Sequence, residues 1–183
     1  MWIYLNYMTY LFQSERLGFR NWIDSDLKKL HSINTDDEVM EFFPSHSSMK
    51  ETSLFIQRMQ ESIEHKGYGY FAVDEINTRN FIGFIGILDQ TYEASFMPSI
   101  DIGWRLNKSY WGKGYATEGA KACIHHAFKT LELKSLVSIA PKINQKSINV
   151  MEKIGMTKHL EFKHPKIENY SPLQDCVCYK ITV

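Results

Sequence analysis

The sequence is poor in cysteine, has no excess of charge of either sign and lacks long apolar runs, and each shortage closes off a class of function. Three cysteines in 183 residues are too few and too oddly numbered for a disulfide framework. Cys176 and Cys178 stand two apart in an apolar run with strand character, and they read as buried thiols of a reducing, cytoplasmic protein. A Cys-x-Cys metal site is the alternative, but no second cysteine or histidine pair lies at finger-like spacing, so no metal is expected. Lys plus Arg equals Asp plus Glu at 21 each, which removes any general attraction to nucleic acid or to an acidic membrane surface and points to a small molecule or a peptide as partner. The opening stretch, residues 1–12, is apolar and aromatic but has no basic head and no small-residue cleavage site, and it is too short to span a bilayer. It reads as a non-exported extension over 1–13, with Met8 as an alternative start, ahead of one domain over 14–183.

Within that domain, residues 15–20 alternate charged and apolar side chains as a half-buried strand does, and Asp24 opens a segment with Leu27, Leu30 and Ile33 at helical spacing. Residues 35–49 are acidic, contain Pro44 and several serines, and predict a loop; Leu54, Phe55, Met59 and Ile63 then mark an amphipathic helix that ends near Gly67. Two aromatic-rich strands, 68–73 and 81–88, flank the turn-prone Asn77-Thr78-Arg79-Asn80 and predict a hairpin. A strand over 100–106 follows the loop with Pro98, and then a helix over 116–131 with Ala116, Ala120, Ile124, Ala127, Phe128 and Leu131 on one face. A strand over 136–140, a short helix over 145–154 stopped by Gly155, and strands near 157–162 and 175–181 complete the pattern. Strands and helices mix without a regular βα repeat, an internal period or a linker. The expectation is a single α+β domain with a mixed, mostly antiparallel twisted sheet of about seven strands and about four helices.

Between the strand ending at Leu106 and the helix starting near Ala116 lies Trp111-Gly112-Lys113-Gly114-Tyr115-Ala116-Thr117. Two glycines let the backbone approach an anion with no Cβ in the way, and the helix start turns unpaired N–H groups and the positive dipole end toward it. A Walker loop needs Ser or Thr directly after Gly-Lys, where Gly114 stands, and a dinucleotide fingerprint needs a third glycine where Thr117 stands. The glycines by themselves leave two readings, a diphosphate cradle or a plain tight turn.

The neighbouring segments extend the pattern. Ser99-Ile100-Asp101-Ile102-Gly103-Trp104-Arg105-Leu106, the glycine turn, and Asn144-Gln145-Lys146-Ser147-Ile148-Asn149-Val150-Met151-Glu152-Lys153-Ile154-Gly155-Met156 resemble the GNAT superfamily of N-acetyltransferases. More narrowly they resemble the RimJ/RimL-type ribosomal-protein N-terminal acetyltransferases, whose first strand is similar to Ser14-Glu15-Arg16-Leu17-Gly18-Phe19-Arg20-Asn21-Trp22. The likeness runs from about Ser14 to the last strand and implies a GNAT-like fold. It places the family's Gln/Arg-x-x-Gly-x-Gly/Ala signature on Trp111, Gly114 and Ala116, with Trp111 a departure familiar in this branch. It further implies that backbone groups of Trp104, Arg105 and Leu106 pair with the pantetheine arm of acetyl-CoA. Gly112, Lys113, Gly114, Tyr115, Ala116 and Thr117 would hold the pyrophosphate, and Asn144 would contact the cofactor near its pantetheine end. Because that grip is mostly backbone, the Trp111 departure changes little.

Acyl transfer to an amine needs a neutral amine, a polarised thioester carbonyl, and a way to stabilise or protonate the departing thiolate. The resemblance implies that a main-chain N–H in 104–106 polarises the carbonyl. Many relatives place a tyrosine seven residues after the asparagine; that position is Met151, which cannot donate a proton. Ser147, one turn before it, is the substitute acid, against the plainer reading of a helix cap. Several relatives carry an acidic group two residues before the glycine that aligns with Gly103, so the resemblance makes Asp101 the candidate base; a carboxylate partly buried beside the cleft would have its pKa raised and could take a proton through water. A structural ion pair at Asp101, and catalysis by positioning alone, are the competing readings. His125 and His126 lie inside the long helix, one toward solvent and one toward a core edge, and Glu118 and Lys121 are solvated or paired on the same helix. Asp36, Asp37, Glu38 and Glu41 form either a solvated loop or an acidic border that draws a cationic amine to the acceptor cleft.

The expected function is transfer of an acetyl group from acetyl-CoA to a primary amine by direct attack through a tetrahedral intermediate, without a metal. By resemblance the acceptor is the N-terminal amine of a protein, of ribosomal type. Polyamines, amino-acid-like metabolites and amino-bearing antibiotics are alternatives. From other classes come a non-catalytic acyl-CoA-binding sensor, suggested by Met151, and a nucleotide-binding module. The partners are acetyl-CoA and an amine acceptor, with no nucleic acid and no membrane; a homodimer is compatible.

Overall fold

The computed structural model describes residues 9–167 and 172–183, so Met8 and the apolar residues before it lie outside the described residues. One sheet contains β1 (Phe12–Gln13), β2 (Leu17–Arg20), β3 (Tyr70–Glu75), β4 (Asn80–Gln90), β5 (Ser99–Leu106), β6 (Ser135–Pro141), β7 (Thr157–Lys163) and β8 (Asp175–Thr182), in the order β1-β2-β3-β4-β5-β6-β8-β7. Among the described residues five α-helices accompany it: α1 (Asp26–Asn34), α2 (Asp37–Met40), α3 (Met49–Lys66), α4 (Tyr115–Lys129) and α5 (Gln145–Lys153). All neighbouring strands are antiparallel except β5 and β6. The α+β, mostly antiparallel expectation therefore holds, with one strand and one helix more than predicted, both too short for a hydrophobic period to reveal.

The added strand β1 pairs Phe12 with Phe19 of β2, and the Phe12 ring stacks between Phe19 at 4.3 Å and His126 at 4.4 Å. The added helix α2 corrects the loop predicted across 35–49. Asp36 accepts hydrogen bonds from Glu38 N at 3.0 Å and Val39 N at 3.3 Å, which caps one helical turn and sends Val39 and Met40 inward.

The long elements follow from local signals. At the start of α3 the Ser48 hydroxyl accepts from Glu51 N at 3.2 Å while the Glu51 carboxylate accepts from Ser48 N at 2.7 Å; the helix ends on Gly67 at φ +76°. Helix α4 buries Tyr115, Gly119, Ala120, Cys123 and Ala127; this stripe shares Ala120 and Ala127 with the predicted face, whose Ala116, Ile124, Phe128 and Leu131 pack partly buried against the core beside it. Small size decides the face: a Cβ on Gly119 would lie 2.3 Å from Ile85 Cδ1, so the helix sits directly on β4. Next to Ile85, Phe84 turns to the other side and meets Phe55 of α3 at 5.2 Å. Helices α3 and α4 thus cover opposite faces of the sheet. Between them Phe19, Phe71, Ile82, Ile85 and Ile102 are almost wholly buried, each contributing about 1.5–3 kcal/mol.

Two polar features fix the frame. Arg20 is buried with Asp26 at 2.6 Å and Asp74 at 2.7 Å, joining β2, β3 and the start of α1 through one cation shared by two carboxylates. On the other side of the sheet centre, β5 pairs with β4 along its whole length but with β6 only at Asp101↔Val137. Ser138 Oγ donates to the Ile102 carbonyl at 2.9 Å, and beyond this point the edges of β5 and β6 no longer pair. Among the described residues no helix is long and apolar enough to cross a membrane.

Candidate active site

The unpaired edge of β5 runs into the glycine turn. Trp111 Nε1 donates to the Leu106 carbonyl at 2.9 Å, folding the turn back onto the strand end. Gly112 and Gly114 have φ of +73° and +82°, a region that side chains with a Cβ rarely enter. A Cβ on Gly112 would meet nothing within 4 Å, so this glycine answers to backbone conformation and to the open space beyond it. Gly114 is the N-cap of α4 and has no side chain to cap it, which leaves the first-turn N–H groups available to an anion.

This turn walls a cavity of about 580 Å³, and every sequence-predicted binding residue except Lys113 lines it. Lys113 is exposed, with its ammonium 5.1 Å from the Tyr110 ring centroid. Two cations that sequence reasoning missed lie on α5, Lys146 and Lys153. Their spacing of seven was the available signal, since it puts both on one helix face. The Lys146 ammonium sits 4.6 Å over the Trp111 ring.

On α5 the roles of two polar residues separate. Asn144 is the N-cap, its side-chain oxygen accepting from Ser147 N at 3.1 Å. The Ser147 hydroxyl is therefore not the cap. It lines both this cavity and an inner one of about 280 Å³, and it has no hydrogen-bond partner among the described residues. One turn on, Met151 is buried at the inner cavity.

Asp101 faces that inner cavity and accepts a hydrogen bond from the Tyr70 hydroxyl at 2.6 Å. Burial pushes its carboxyl up to about 7, with the Tyr70 hydrogen bond pulling the other way. Asp101 forms no ion pair among the described residues. The Tyr70 contact depends on register: Tyr70 lies opposite Gly86, and Gly86 opposite Gly103. A Cβ on Gly103 would stand 3.2 Å from the Tyr70 hydroxyl, so glycine there clears the path to Asp101. Phe42, Phe43, Phe55 and Phe84 supply an aromatic wall, and Arg105 Nη1 donates to Asn34 Oδ1 at 2.7 Å. None of Tyr70, Asn34 or the phenylalanines could be assigned to the site from local sequence, because each belongs to another element.

The remaining candidates lie aside. Glu38 borders the outer cavity, but Lys108 holds it at 2.9 Å and Asp36 at 3.1 Å; Asp37 and Glu41 are exposed. Glu118 binds Arg16 at 2.6 Å, His125 is exposed and His126 stacks on Phe12. The three cysteines are free and buried, and burial pushes the Cys176 and Cys178 thiols up to about 11 and about 12.

Residues 16–157 match the family model for the acetyltransferase (GNAT) domain. The uncharacterized protein YkkB of Bacillus subtilis (strain 168) is 27% identical over 144 residues, covering 78% of this chain and 83% of the relative. Among solved structures, a GNAT-family acetyltransferase from Bacillus anthracis aligns with TM-score 0.76 at 28% identity over 93% of this chain and 96% of that one. Spermidine N-acetyltransferase from Vibrio cholerae, in complex with CoA and spermine, shares the fold at TM-score 0.72 and 19% identity over 91% and 95% of the two chains.

Proposed function

The chain belongs to the GNAT acetyltransferase family and is an acyl-CoA-dependent N-acetyltransferase; from that premise we propose that Asp101 and Ser147 serve as general base and general acid in acetyl transfer to a primary amine. The residues present fit the co-substrate. Gly112, Gly114 and the uncapped start of α4 form a backbone cradle for the pyrophosphate, with Lys146 and Lys153 adding positive charge. The free edge of β5 at 104–106 offers main-chain groups to the pantetheine arm and an N–H to the reacting carbonyl oxygen. Acetyl-CoA supplies an acyl group already activated as a thioester.

Asp101 takes a proton from the attacking nitrogen, directly or through one water, which a carboxyl titrating near neutrality is suited to do. Ser147 passes its hydroxyl proton to the departing sulfur and recovers one from solvent. The products are the N-acetyl amine and CoA, and the proton gained by Asp101 returns to solvent. The observation that carries this reading is that the cradle, the unpaired strand edge, Asp101 and Ser147 border two cavities that share Trp104, Arg105, Asn144 and Ser147.

For the acceptor, the resemblance of 14–22 to RimJ/RimL-type enzymes supports a protein N-terminal amine, while the fold likeness to the Vibrio cholerae enzyme supports a small amine. Release of CoA thiol measured across a panel of both kinds, with calorimetric titration of acetyl-CoA alongside, tests the function. Turnover that depends on the amine is expected. Tight binding with no turnover of any amine would favour a sensor, consistent with Met151 in place of a proton donor, and no binding would refute the cradle.

A further inference from the structure

The inner cavity holds a guanidinium without a counter-ion. Arg105 lies directly across the ladder from Phe84, so its side chain leaves the sheet on the α3 side, as does that of Asp101 four residues earlier. Its Nη1 has one acceptor, Asn34 Oδ1 at 2.7 Å, while its Nε is out of contact with solvent and has no acceptor among the described residues. Phe43 and Phe84 flank the charge at 4.1 and 5.4 Å. No ion pair neutralises it among the described residues. The same chain treats its structural arginine differently: buried Arg20 carries two carboxylates within 2.7 Å.

The ionisable groups facing Arg105 are otherwise committed. Tyr70 donates its hydroxyl to Asp101, and Glu38, across the outer cavity, is bound to Lys108. Asp101 itself sits about 13 Å along the strand, at about 3.3 Å per residue. Along β5 this face thus presents a proton acceptor, the Tyr70 hydroxyl above Gly103, and a cation, beneath an aromatic wall. A cation so placed keeps its desolvation cost until an anion reaches it.

Building on the acetyl transfer proposed above, we propose that the acceptor is a primary amine that also carries a carboxylate several bonds away, with the amine at Asp101, the carboxylate paired with Arg105, and the intervening apolar chain on the aromatic wall. A free aminocarboxylic acid and an acidic side chain close to a peptide N-terminus present this same chemistry. A polyamine does not, since its second cation would face Arg105.

The test compares 5-aminopentanoate, pentylamine and 1,5-diaminopentane, together with amidated peptides beginning Ala-Glu and Ala-Gln. Two quantities are measured for each: kcat/KM for acetylation, and calorimetric affinity for the protein saturated with CoA. At least one carboxylate-bearing amine should exceed its neutral and dicationic counterparts by about ten- to a hundredfold. Arg105→Gln should bring that ratio toward unity, and Arg105→Lys should keep part of it; each ratio is taken within one sample, so a smaller folded fraction cancels. Preference for 5-aminopentanoate identifies the free acid as the source, and preference confined to the Ala-Glu peptide identifies the protein N-terminus. A wild type with no carboxylate preference in either set, one that uses pentylamine or 1,5-diaminopentane as well as 5-aminopentanoate and the Ala-Gln peptide as well as the Ala-Glu peptide, overturns the assignment. So does an Arg105→Gln variant that loses CoA affinity tenfold with the acceptor ratio unchanged, because the guanidinium would then serve the co-substrate. If no amine is acetylated, the proposed function fails, while the binding measurement still decides the carboxylate: selective affinity for the carboxylate-bearing amine upholds it, and none overturns it.

Discussion

Replacing Asp101 with asparagine keeps the size of the side chain and removes its charge, and the burial of this carboxyl makes the consequences for stability and for activity run in opposite directions. Burial raises its pKa from 3.8 to about 7; at 1.36 kcal/mol for each tenfold change in proton affinity, ionising Asp101 costs the native state about 4 kcal/mol at most. The native state binds this proton more tightly than the unfolded chain does. The contribution is therefore fully present below about pH 4, is lost as pH rises toward 7, and changes no further above that. Asp101→Asn has no such dependence, although its amide N–H needs a partner that Tyr70 does not supply, at a cost of about 1–3 kcal/mol. The variant should be more stable than the wild type at pH 8 by about 1–3 kcal/mol, or about 2–12 °C in Tm, and no more stable at pH 4.5. Its activity should fall most near pH 7–8. Below about pH 6 the wild-type base is itself protonated, and at high pH the acceptor amine is already neutral. Melting curves from pH 4.5 to 9 and a pH–rate profile on the same preparations decide the matter. Parallel stability profiles would show that the carboxyl is not raised, and superimposed rate profiles would remove Asp101 as the base.

Other perturbations test separate parts of the site and frame. Gly114→Val forces a β-branched residue to φ +82° beside the Arg16 guanidinium, 3.5 Å from the new Cβ, and should cost about 1–3 kcal/mol of stability and at least tenfold in acetyl-CoA affinity by calorimetry; unchanged affinity in a folded variant would refute the cradle. Ser147→Ala should lower kcat by about ten- to a hundredfold, or about 1.4–2.8 kcal/mol, with Tm unchanged because Asn144 is the cap, and Ser147→Cys should recover part of the rate; full activity in the alanine variant would exclude Ser147 as the acid. Asn144→Ala removes the acceptor for Ser147 N and should cost about 1 kcal/mol in denaturant unfolding. Asp74→Ala leaves Arg20 with one carboxylate in a buried site and should cost about 3–5 kcal/mol; a loss under about 1 kcal/mol would mean that the triad does not hold the frame.

What the sequence determined by itself was whatever repeats or acts locally. The periods of α3, α4 and the β3–β4 hairpin are longer than one turn or one pleat, so burial leaves a pattern in them. The glycine turn is legible because a left-handed φ at Gly112 and Gly114 is a property of single residues. Asp101 and Ser147 became candidates through the resemblance, Asp101 at a position where relatives carry an acidic group and Ser147 one turn before the Met151 that stands in place of their tyrosine. The two-residue β1 and four-residue α2 escaped because they contain less than one full period. The predicted face of α4 shares Ala120 and Ala127 with the buried stripe, but the stripe centres on Gly119 and Cys123, because the absence of a side chain at Gly119, rather than hydrophobicity, sets how close the helix approaches the sheet. Only the tertiary structure decided what surrounds the reacting groups. Tyr70 reaches Asp101 across 31 positions and Arg105 reaches Asn34 across 71, through strand register and helix docking that no local window contains. The raised carboxyl and the uncompensated guanidinium follow from that assembly, because desolvation belongs to the packed surroundings of a group and not to its neighbours in sequence.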